Sequence, residues 1–395
     1  MKEKTSLVFT GDIGFDNYMN GMWRDPELLS PSVQDFLRSG DHLIVNVEGA
    51  LSKGDTNAAP NGVAQLMHSM DPEVADFLNN IGADIWCIAN NHIMDAGPIG
   101  MEDTLKIAHQ NNAQTIGAGM NLDEASIPVY LDEAGGIGLF AVGYQRGCKK
   151  ATEDTPGSLP WNDMDRIASI IATIKAKCRW CIVVAHGGEE FTALPSPYTR
   201  DRYIEYLNMG ADIVVSHHPH VPMNYETFCD GSNDGEPTKA IFYSLGNFIF
   251  DTNYQRAQFN TEKGILLKLQ LDEENFSFKP MGILINRENE HIEEAELPLI
   301  FEDVQENEYN LLEPLSAKAF IEANKRQQTY LFPDKYTNAT EEDWDENFSN
   351  PKRSGRVIGE GLDFYIIRPI AAQAEAGAWK QSNLENVKKF ILDSM

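Results

Sequence analysis

The most informative stretch of the sequence reads Ile85-Trp86-Cys87-Ile88-Ala89-Asn90-Asn91-His92, an apolar run that ends at two amides and an imidazole. Four other short apolar runs end in a similar way, at Asp12, at Glu48, at His186 and at the segment His217-His218-Pro219-His220. Short β-branched runs that are followed by helix-like stretches indicate βα units of a largely buried sheet. Because ligands bind beyond the carboxyl ends of strands in such sheets, the pattern predicts one site with carboxylate, amide and imidazole groups.

Helical periodicity alternates with these runs in the first half of the chain. Helices are predicted over residues 31–38, 72–81, 100–110, 161–177 and 199–208, and strand follows strand from 240 to 285. Mixed sheets with helices outside them are the simplest α/β architecture for this order. After His291 the composition becomes acidic, with candidate helices at 316–328 and 382–392. We therefore predict a domain at 1–290 and a mainly helical C-terminal extension at 291–395 that packs on it.

Charge and composition exclude several classes of partner. The formal net charge of −28 argues against nucleic acid or an anionic membrane surface as the main partner. No apolar stretch approaches the roughly 20 residues that span a bilayer, so no membrane anchor is expected. The five cysteines are odd in number and mostly lie in apolar runs, which favours a reduced, cytoplasmic setting. The oligomeric state stays open.

The histidines favour a metal site over a set of polar turns. Five of the nine lie at three of the strand ends. Side chains two residues apart face the same side of an extended segment, so His218 and His220 could face one ion, and Pro219 would stiffen that segment. Carboxylate, amide and imidazole donors without thiolate suit divalent transition-metal ions such as Mn, Fe or Zn.

Two ions fit the donor set better than one. A carboxylate that bridges two ions would hold them about 3.5–4 Å apart, and a bridging hydroxide would then be the nucleophile. Glu48 is the candidate bridge. His92 directly follows the candidate ligand Asn91, so it could protonate the leaving oxygen or stabilise the transition state. The alternative for His92 is a plain metal ligand.

The order of these motifs resembles the CapA family, named for poly-γ-glutamate capsule synthesis, within the calcineurin-like metallophosphoesterase superfamily. The matching stretches are residues 11–12, 46–48, 89–97, 117–121, 186–191, 217–221 and 243–251. The Asn-Asn-His and Tyr-Ser-Leu-Gly-Asn-Phe stretches are the most specific of them. The resemblance implies a four-layer αββα sandwich with a dinuclear metal site.

The resemblance also implies roles for individual residues. Those that match the superfamily's metal ligands are Asp12, Glu48, Asn91, His186, His218 and His220. His92 matches the catalytic histidine. Residues expected around the ligands or at the substrate are Asn46, Asp95, His217, Glu190 and Asn247. For two of these a simpler role stays open, because Asn247 could be structural and Glu190 could belong to a solvated helix start.

The chain departs from the family pattern at several positions. It lacks the histidine that many superfamily members carry two residues after Asp12, and the arginine that family members often carry soon after it. Arg200 or Arg202 could replace that arginine as a phosphate clamp. Gly187 stands where relatives commonly have Trp, and Phe191 where they have Tyr. These two changes are expected to widen or reshape the substrate pocket.

We therefore expect a metal-dependent hydrolase, most simply a phosphoesterase that acts on a small anionic or phosphorylated substrate. One alternative is amide or γ-glutamyl hydrolysis or transfer at the same metals, on a glutamyl polymer or its precursor. Another is a non-catalytic accessory role in polyglutamate synthesis. The complete set of candidate ligands argues against the second alternative.

Overall fold

The computed structural model describes residues 4–53, 67–144, 148–229, 236–340, 342–344 and 381–395. The strands in these ranges are β1 Thr5–Gly14, β2 His42–Val47, β3 Ala50–Leu51, β4 Ser69–Met70, β5 Ala83–Cys87, β6 Gln114–Ile116, β7 Ala118–Gly119, β8 Val129–Leu131, β9 Ile137–Gly143, β10 Gly157–Ser158, β11 Trp180–His186, β12 Ile213–His217, β13 Tyr225–Phe228, β14 Lys239–Phe242, β15 Asn247–Phe250, β16 Lys263–Leu271, β17 Phe276–Asn286 and β18 His291–Ala295. The helices are α1 Pro31–Leu37, α2 Val74–Asn80, α3 Gly97–Gln110, α4 Leu122–Ala125, α5 Met164–Lys175, α6 Pro197–Met209, α7 Asn253–Arg256, α8 Glu306–Leu331, α9 Pro333–Tyr336 and α10 Gln381–Asp393.

Two large mixed sheets organise the described part of the chain. The first has the order β18-β17-β16-β1-β2-β5-β6, and β15 also pairs with β1. The second has the order β13-β14-β12-β11-β9-β8. Strands β1, β2, β5 and β6 run parallel in the first sheet, as do β9, β11, β12 and β14 in the second. Each parallel set therefore presents its carboxyl ends along one edge.

The two sheets pack face to face between outer helices. Strand β11 shows the layering, because its alternate residues belong to different cores. Ile182 and Val184 lie in the core between the sheets, whereas Val183 lies in an outer core with residues of α5 and α6. A third core packs α1, α2 and α3 against the other face of the first sheet. The predicted α/β class and four-layer αββα sandwich are confirmed.

The predicted helices have local signals that fix their starts. Ser196 Oγ accepts a hydrogen bond from the Thr199 backbone N–H at 3.2 Å, and Pro197 occupies the first position of α6. Asp163 caps α5 in the same way. All five helices predicted before residue 210 are present, with ends shifted by a few residues. None of the helices in the described ranges is both long and apolar enough to cross a bilayer.

The C-terminal region contains helices, and one of them is longer than predicted. Helix α8 begins at Glu306, ten residues before the predicted start, because Gln305 and Glu308 form a capping box there. It packs with α10 in a further apolar cluster that includes Leu194 of the core. The predicted boundary after residue 290 separates β17 from β18, which pair in the same sheet. The division into two domains stays a prediction.

Candidate metal centre

The registers of the strands bring the predicted polar residues together. In the first sheet, β1 pairs with both β2 and β15, so that Asp12 lies beside Asn46 on one side and beside Asn247 on the other. In the second sheet, β11 and β12 place His186 beside His217. The two carboxyl edges meet, because the backbone N–H of His218 lies 3.4 Å from Asp12 Oδ2. The site is therefore built between the sheets.

A glycine permits the close approach of β15 to Asp12. A Cβ at Gly11 would collide with the carbonyl oxygen of Gly246. That same carbonyl accepts a hydrogen bond from the Asp12 backbone N–H at 3.0 Å. Because β1 has an irregular register between Asp12 and Ile13, its end bends at the site. In the Gly11-Asp12 pair, the glycine therefore allows the backbone contact with Gly246, and the aspartate supplies the buried carboxylate.

Two groups of possible metal ligands share one carboxylate. Asp12, Glu48 and His186 form one group, and Glu48, His218 and His220 form the other. Within each group the candidate ligand atoms lie within 4.8 Å of one another, and all of these residues are buried. Glu48, the predicted bridge between two ions, is the residue common to both groups.

Among the residues that the structure describes, none forms a hydrogen bond with either carboxylate oxygen of the fully buried Glu48. Its Oε1 lies 3.6 Å from His186 Nε2 and 3.7 Å from His220 Nε2. A buried carboxylate without a partner costs several kcal/mol, unless a cation or a proton neutralises it. The nearby Nδ1 of His218 is buried without a partner as well. These orphaned atoms fit the binding of divalent cations.

The two carboxylates have opposite pKa shifts. Burial, together with the charge of Asp12, raises the pKa of Glu48 well above its usual value. Burial would also raise the pKa of Asp12, but interactions with His217 and His220 hold it well below its usual value. Burial lowers the pKa of His220, but the negative charge of Glu48 and Asp12 outweighs it and raises that pKa to about 10. The metal-free site therefore contains an ion pair between Asp12 and His220.

A chain of hydrogen bonds connects the candidate ligands to His92. Asn46 Nδ2 lies 2.8 Å from Asp12 Oδ1 and 3.3 Å from His186 Nδ1, and His186 Nε2 lies 2.7 Å from Asn91 Oδ1. Asn91 Nδ2 lies 2.8 Å from His92 Nε2. With the Asn91 amide oriented in this way and no metal bound, His186 donates from Nε2 to the amide oxygen and His92 accepts at Nε2 from the amide nitrogen. A metal ion held by His186 would take the place of the proton on Nε2.

His92 is oriented by a carboxylate. Its Nδ1 lies 2.7 Å from Asp95 Oδ2, and because Nε2 accepts, Nδ1 carries the proton. Burial lowers the pKa of His92 well below its usual value, and the neighbouring histidines His68, His220 and His218 lower it further. The neutral ring thus keeps a lone pair on Nε2, which lies 3.9 Å from Glu48 Oε1. His92 is placed to exchange a proton beside the metal ligands.

Three residues predicted around the ligands have clear contacts. Asn247 Oδ1 lies 3.0 Å from His220 Nδ1, which fixes the orientation of that ring. His217 Nδ1 lies 3.3 Å from Asp12 Oδ1. Glu190 accepts hydrogen bonds from Tyr254 Oη at 2.9 Å and from Gln327 Nε2 of α8 at 2.7 Å. Glu190 is therefore anchored at the site rather than solvated.

The geometry predicted for the His218-Pro219-His220 segment is wrong. Strand β12 ends at His217, and the chain then bends. His218 and His220 have φ angles of 96° and 58°, in the left-handed region rather than the extended one. The backbone N–H of Phe191 donates to the Pro219 carbonyl at 2.9 Å and holds this bend. Both rings still reach the site, although by a turn and not by alternation along a strand.

The contacts do not support either arginine as a phosphate clamp, and the space beside Gly187 is reshaped rather than widened. Arg200 is buried in a two-bond contact with Glu226, at 3.0 and 2.6 Å, and Arg202 lies 3.0 Å from Glu205. Neither is available to clamp a phosphate. The space beside Gly187 is not widened, because a Cβ there would lie 3.0 Å from the Trp161 ring. The indole fills the volume that the glycine leaves.

Two residues near His92 are missed by the sequence analysis. The His68 ring stands edge-on to the His92 ring, with centroids 4.2 Å apart, and its Nδ1 pairs with an oxygen of Asp16. The backbone N–H of His68 donates to Asp95 Oδ2 at 2.9 Å. The mostly apolar stretch Val63-Ala64-Gln65-Leu66-Met67 before His68 is the sequence signal that could have marked it.

The four-layer sandwich and its shared ligand groups define an α/β protein with a possible metal site at the carboxyl edges of its two sheets. A model of the family described as bacterial capsule synthesis protein PGA_cap matches residues 6–252. The chain belongs to this family, and the predicted relation to CapA proteins is confirmed.

Curated relatives agree with this family. The capsule biosynthesis protein CapA of Bacillus anthracis is 27% identical over 264 residues, which is 65% of this chain and 62% of that protein. The PGA biosynthesis protein CapA of Bacillus subtilis (strain 168) is 28% identical over 258 residues, 64% of this chain and 65% of that protein. The match therefore spans less than two thirds of the length of either relative.

A solved structure with a related shape is that of TT1561 of Thermus thermophilus. It is 8% identical, with 70% of this chain and 99% of that chain covered at a TM-score of 0.37.

Proposed function

We propose that the chain is a metal-dependent hydrolase that acts on a phosphate ester or anhydride. The proposed metal ligands are Asp12, Glu48, Asn91, His186, His218 and His220. The observation that carries the proposal is the sharing of Glu48 between two buried ligand groups, with both of its oxygens free of other partners. A single ion would need only one of these groups, whereas a shared carboxylate is typical of two-metal hydrolytic sites.

The bound ions and the protein would divide the work. Two divalent ions of the Mn, Fe or Zn type would supply an activated water and polarise a phosphoryl oxygen. Asp95 holds His92 by its Nδ1, so that Nε2 can give a proton to the leaving oxygen or take one from it. Asn247 Oδ1 accepts from Nδ1 of His220 and so positions that imidazole, and Asn46 Nδ2 donates to Asp12 Oδ1 and positions that carboxylate. The manganese identity and the cytoplasmic setting stay predictions.

The reaction is tested with purified full-length protein reconstituted with Mn²⁺. We expect about two ions per chain by elemental analysis, and turnover of 4-nitrophenyl phosphate or of bis(4-nitrophenyl) phosphate. Asp12→Asn should lose metal and turnover together. His92→Ala should keep the metal and lose about 10²- to 10⁴-fold in kcat, the range for a missing general acid or base. His42→Ala, which removes a histidine paired with Asp84 outside the site, is the control.

Turnover that survives both Asp12→Asn and His92→Ala would show that another site performs the reaction. A metal content near zero after reconstitution would remove the basis of the proposal.

A second candidate follows from family membership. The two curated relatives are named for capsule and PGA biosynthesis, which favours a glutamyl polymer or its precursor as substrate. The same ligands could activate water for attack on a γ-glutamyl amide, or direct transfer to another acceptor. Hydrolysis of γ-glutamyl peptides without turnover of either phosphate ester would select this candidate. Turnover of neither substrate class by fully loaded protein would select the accessory role.

A further inference from the structure

A second carboxylate–imidazole pair stands beside the His92–Asp95 pair. Asp16, in the loop after β1, pairs with Nδ1 of His68, which lies just before β4. The pair is well enclosed, with 8% of the His68 side chain and 22% of the Asp16 side chain exposed. Nothing in the proposed two-metal reaction requires it, since neither residue belongs to a candidate ligand group.

The position of His68 is fixed by contacts with four residues. Asp16 holds Nδ1, and the backbone N–H donates to Asp95 Oδ2 at 2.9 Å. The ring packs edge-on against His92 at 4.2 Å and against Phe250 at 5.1 Å between centroids. Because Asp95 Oδ2 also accepts from Nδ1 of His92, one carboxylate oxygen holds the His92 imidazole and the His68 backbone. A ring fixed this firmly has lost the freedom of a surface histidine.

The other nitrogen of His68 is unused. In the described ranges no side chain or backbone group forms a hydrogen bond with His68 Nε2. Asp16 neutralises the charge that the ring carries when both nitrogens are protonated, the form in which Nε2 donates. In that form the pair would present a charge-assisted donor on a ring whose centroid lies 4.2 Å from that of His92.

Among the described residues, no arginine is free to bind an anion at the site. Each arginine in these ranges already has a hydrogen-bond acceptor elsewhere in the fold. The Asp16–His68 pair is thus a candidate to bind an anion at the site in place of an arginine.

We infer that His68, held by Asp16, forms an oxyanion subsite that donates from Nε2 to a non-bridging oxygen of the phosphoryl group in reaction beside His92. This inference rests on the proposed phosphoesterase function. The subsite takes a tetrahedral oxyanion, and it contacts the substrate rather than the metals. His68 is in this sense a catalytic residue in addition to His92.

The experiment measures inorganic phosphate binding to Mn²⁺-loaded full-length protein by calorimetry, beside the steady-state hydrolysis of 4-nitrophenyl phosphate. His68→Phe keeps an aromatic ring against His92 and removes the donor. His68→Gln keeps a donor on a flexible side chain. Asp16→Asn keeps an acceptor for Nδ1 and removes its charge. His42→Phe is the matched control, because His42 Nδ1 lies 2.6 Å from Asp84 in a similar pair at the opposite end of β2.

We expect His68→Phe to weaken phosphate binding about tenfold or more, the effect of losing a hydrogen bond to a charged group, with the metal content unchanged. His68→Gln should recover part of the affinity, and Asp16→Asn should show an intermediate loss. His42→Phe should bind phosphate as the unmodified protein does. If His68→Phe does not fold in a thermal scan, the loss in Asp16→Asn decides the question.

Three results would overturn the inference. Unchanged phosphate affinity in both His68→Phe and Asp16→Asn would remove the subsite and leave the proposed function intact. Loss of bound Mn²⁺ in His68→Phe would assign His68 to the metal site instead. Failure of the unmodified, metal-loaded protein both to bind phosphate and to hydrolyse the ester would overturn the proposed function, and the subsite with it.

Discussion

Replacement of Glu48 by Gln separates the two-metal arrangement from a chance cluster of buried polar groups. Metal that binds only the folded protein stabilises it by about 2.7 kcal/mol per site when its concentration is 100 times the Kd. A chain of 395 residues unfolds with an entropy of about 0.8 kcal/mol/K near its Tm, so one filled site raises the Tm by about 3 °C. Because Glu48 belongs to both groups, Glu48→Gln should remove the shift of about 6 °C that two sites produce together.

Without metal, Glu48→Gln is expected to change the Tm in the opposite direction. Its raised pKa means that the buried Glu48 binds a proton more tightly in the folded protein than in the unfolded chain. The folded state is therefore penalised as the pH rises above the ordinary glutamate value, by about 1.4 kcal/mol for each pH unit until the folded pKa is reached. A glutamine has no such penalty. In EDTA at pH 7 Glu48→Gln should unfold at the same temperature as the unmodified protein or above it.

Glu226→Gln is the matched control for this measurement. Glu226 is as deeply buried as Glu48, but its oxygens bind Arg200 and accept from Tyr243 Oη at 2.9 Å. Breaking a buried pair of this kind costs about 3–5 kcal/mol, which lowers the Tm by about 4–6 °C. The shift on adding Mn²⁺ should stay complete. The assay is differential scanning calorimetry in EDTA and in Mn²⁺. A full metal shift in Glu48→Gln, or equal behaviour of the two variants, would refute the reasoning.

Three further outcomes are expected. Because the pKa of His220 is raised to about 10, its stabilising charge is fully present below pH 6.5 and is lost as the pH rises towards 10, so the Tm of metal-free protein should fall over this range. Binding of Mn²⁺ at pH 8 should then release at least one proton per chain. Calorimetry in two buffers of different ionisation enthalpy measures this release, and an equal apparent heat of binding in both buffers would contradict it. Asp95→Asn should lower kcat about 10- to 100-fold with little change in metal content, since His92 loses its orienting carboxylate; an unchanged kcat would argue against that role. Gln327→Leu should lower the free energy of unfolding in urea by about 1.5–3 kcal/mol, because a hydrogen bond to the Glu190 carboxylate is lost. Equal urea midpoints for the variant and the unmodified protein would show that this contact does not stabilise the fold.

The sequence was sufficient to predict the strand ends and the residues that meet there. Each apolar run belongs to a parallel strand, and parallel strands in one sheet necessarily bring their carboxyl ends to one edge. Asp12 and Glu48 follow from this geometry, as does His186 from the other sheet. Because these polar residues stand at the ends of apolar runs, they can be recognised from the sequence alone, without the tertiary structure. Their assignment as ligands and as catalytic groups stays a prediction.

Other features depend on contacts that no local pattern encodes. His68 and Asp16 are 52 positions apart, and they meet because two loops pack at the mouth of the same sheet. The left-handed backbone at His218 arises from a tertiary contact with the segment after β11, which holds the bend. Helix α8 continues through Pro314, a residue that usually breaks a helix, so its first ten residues do not show a helical pattern. Its acidic first turn nevertheless suits the positive end of a helix dipole.

The hydrogen bond between Gln327 of α8 and Glu190 connects the C-terminal region to the segment after β11. Every candidate ligand comes from the strand ends before residue 252, whereas Gln327 lies about 75 positions beyond the family match and donates to Glu190. The charge of Glu190 acts on Glu48, His218 and His220. Substitutions in this late helix can therefore change the electrostatic field at the candidate ligands without displacing any donor atom.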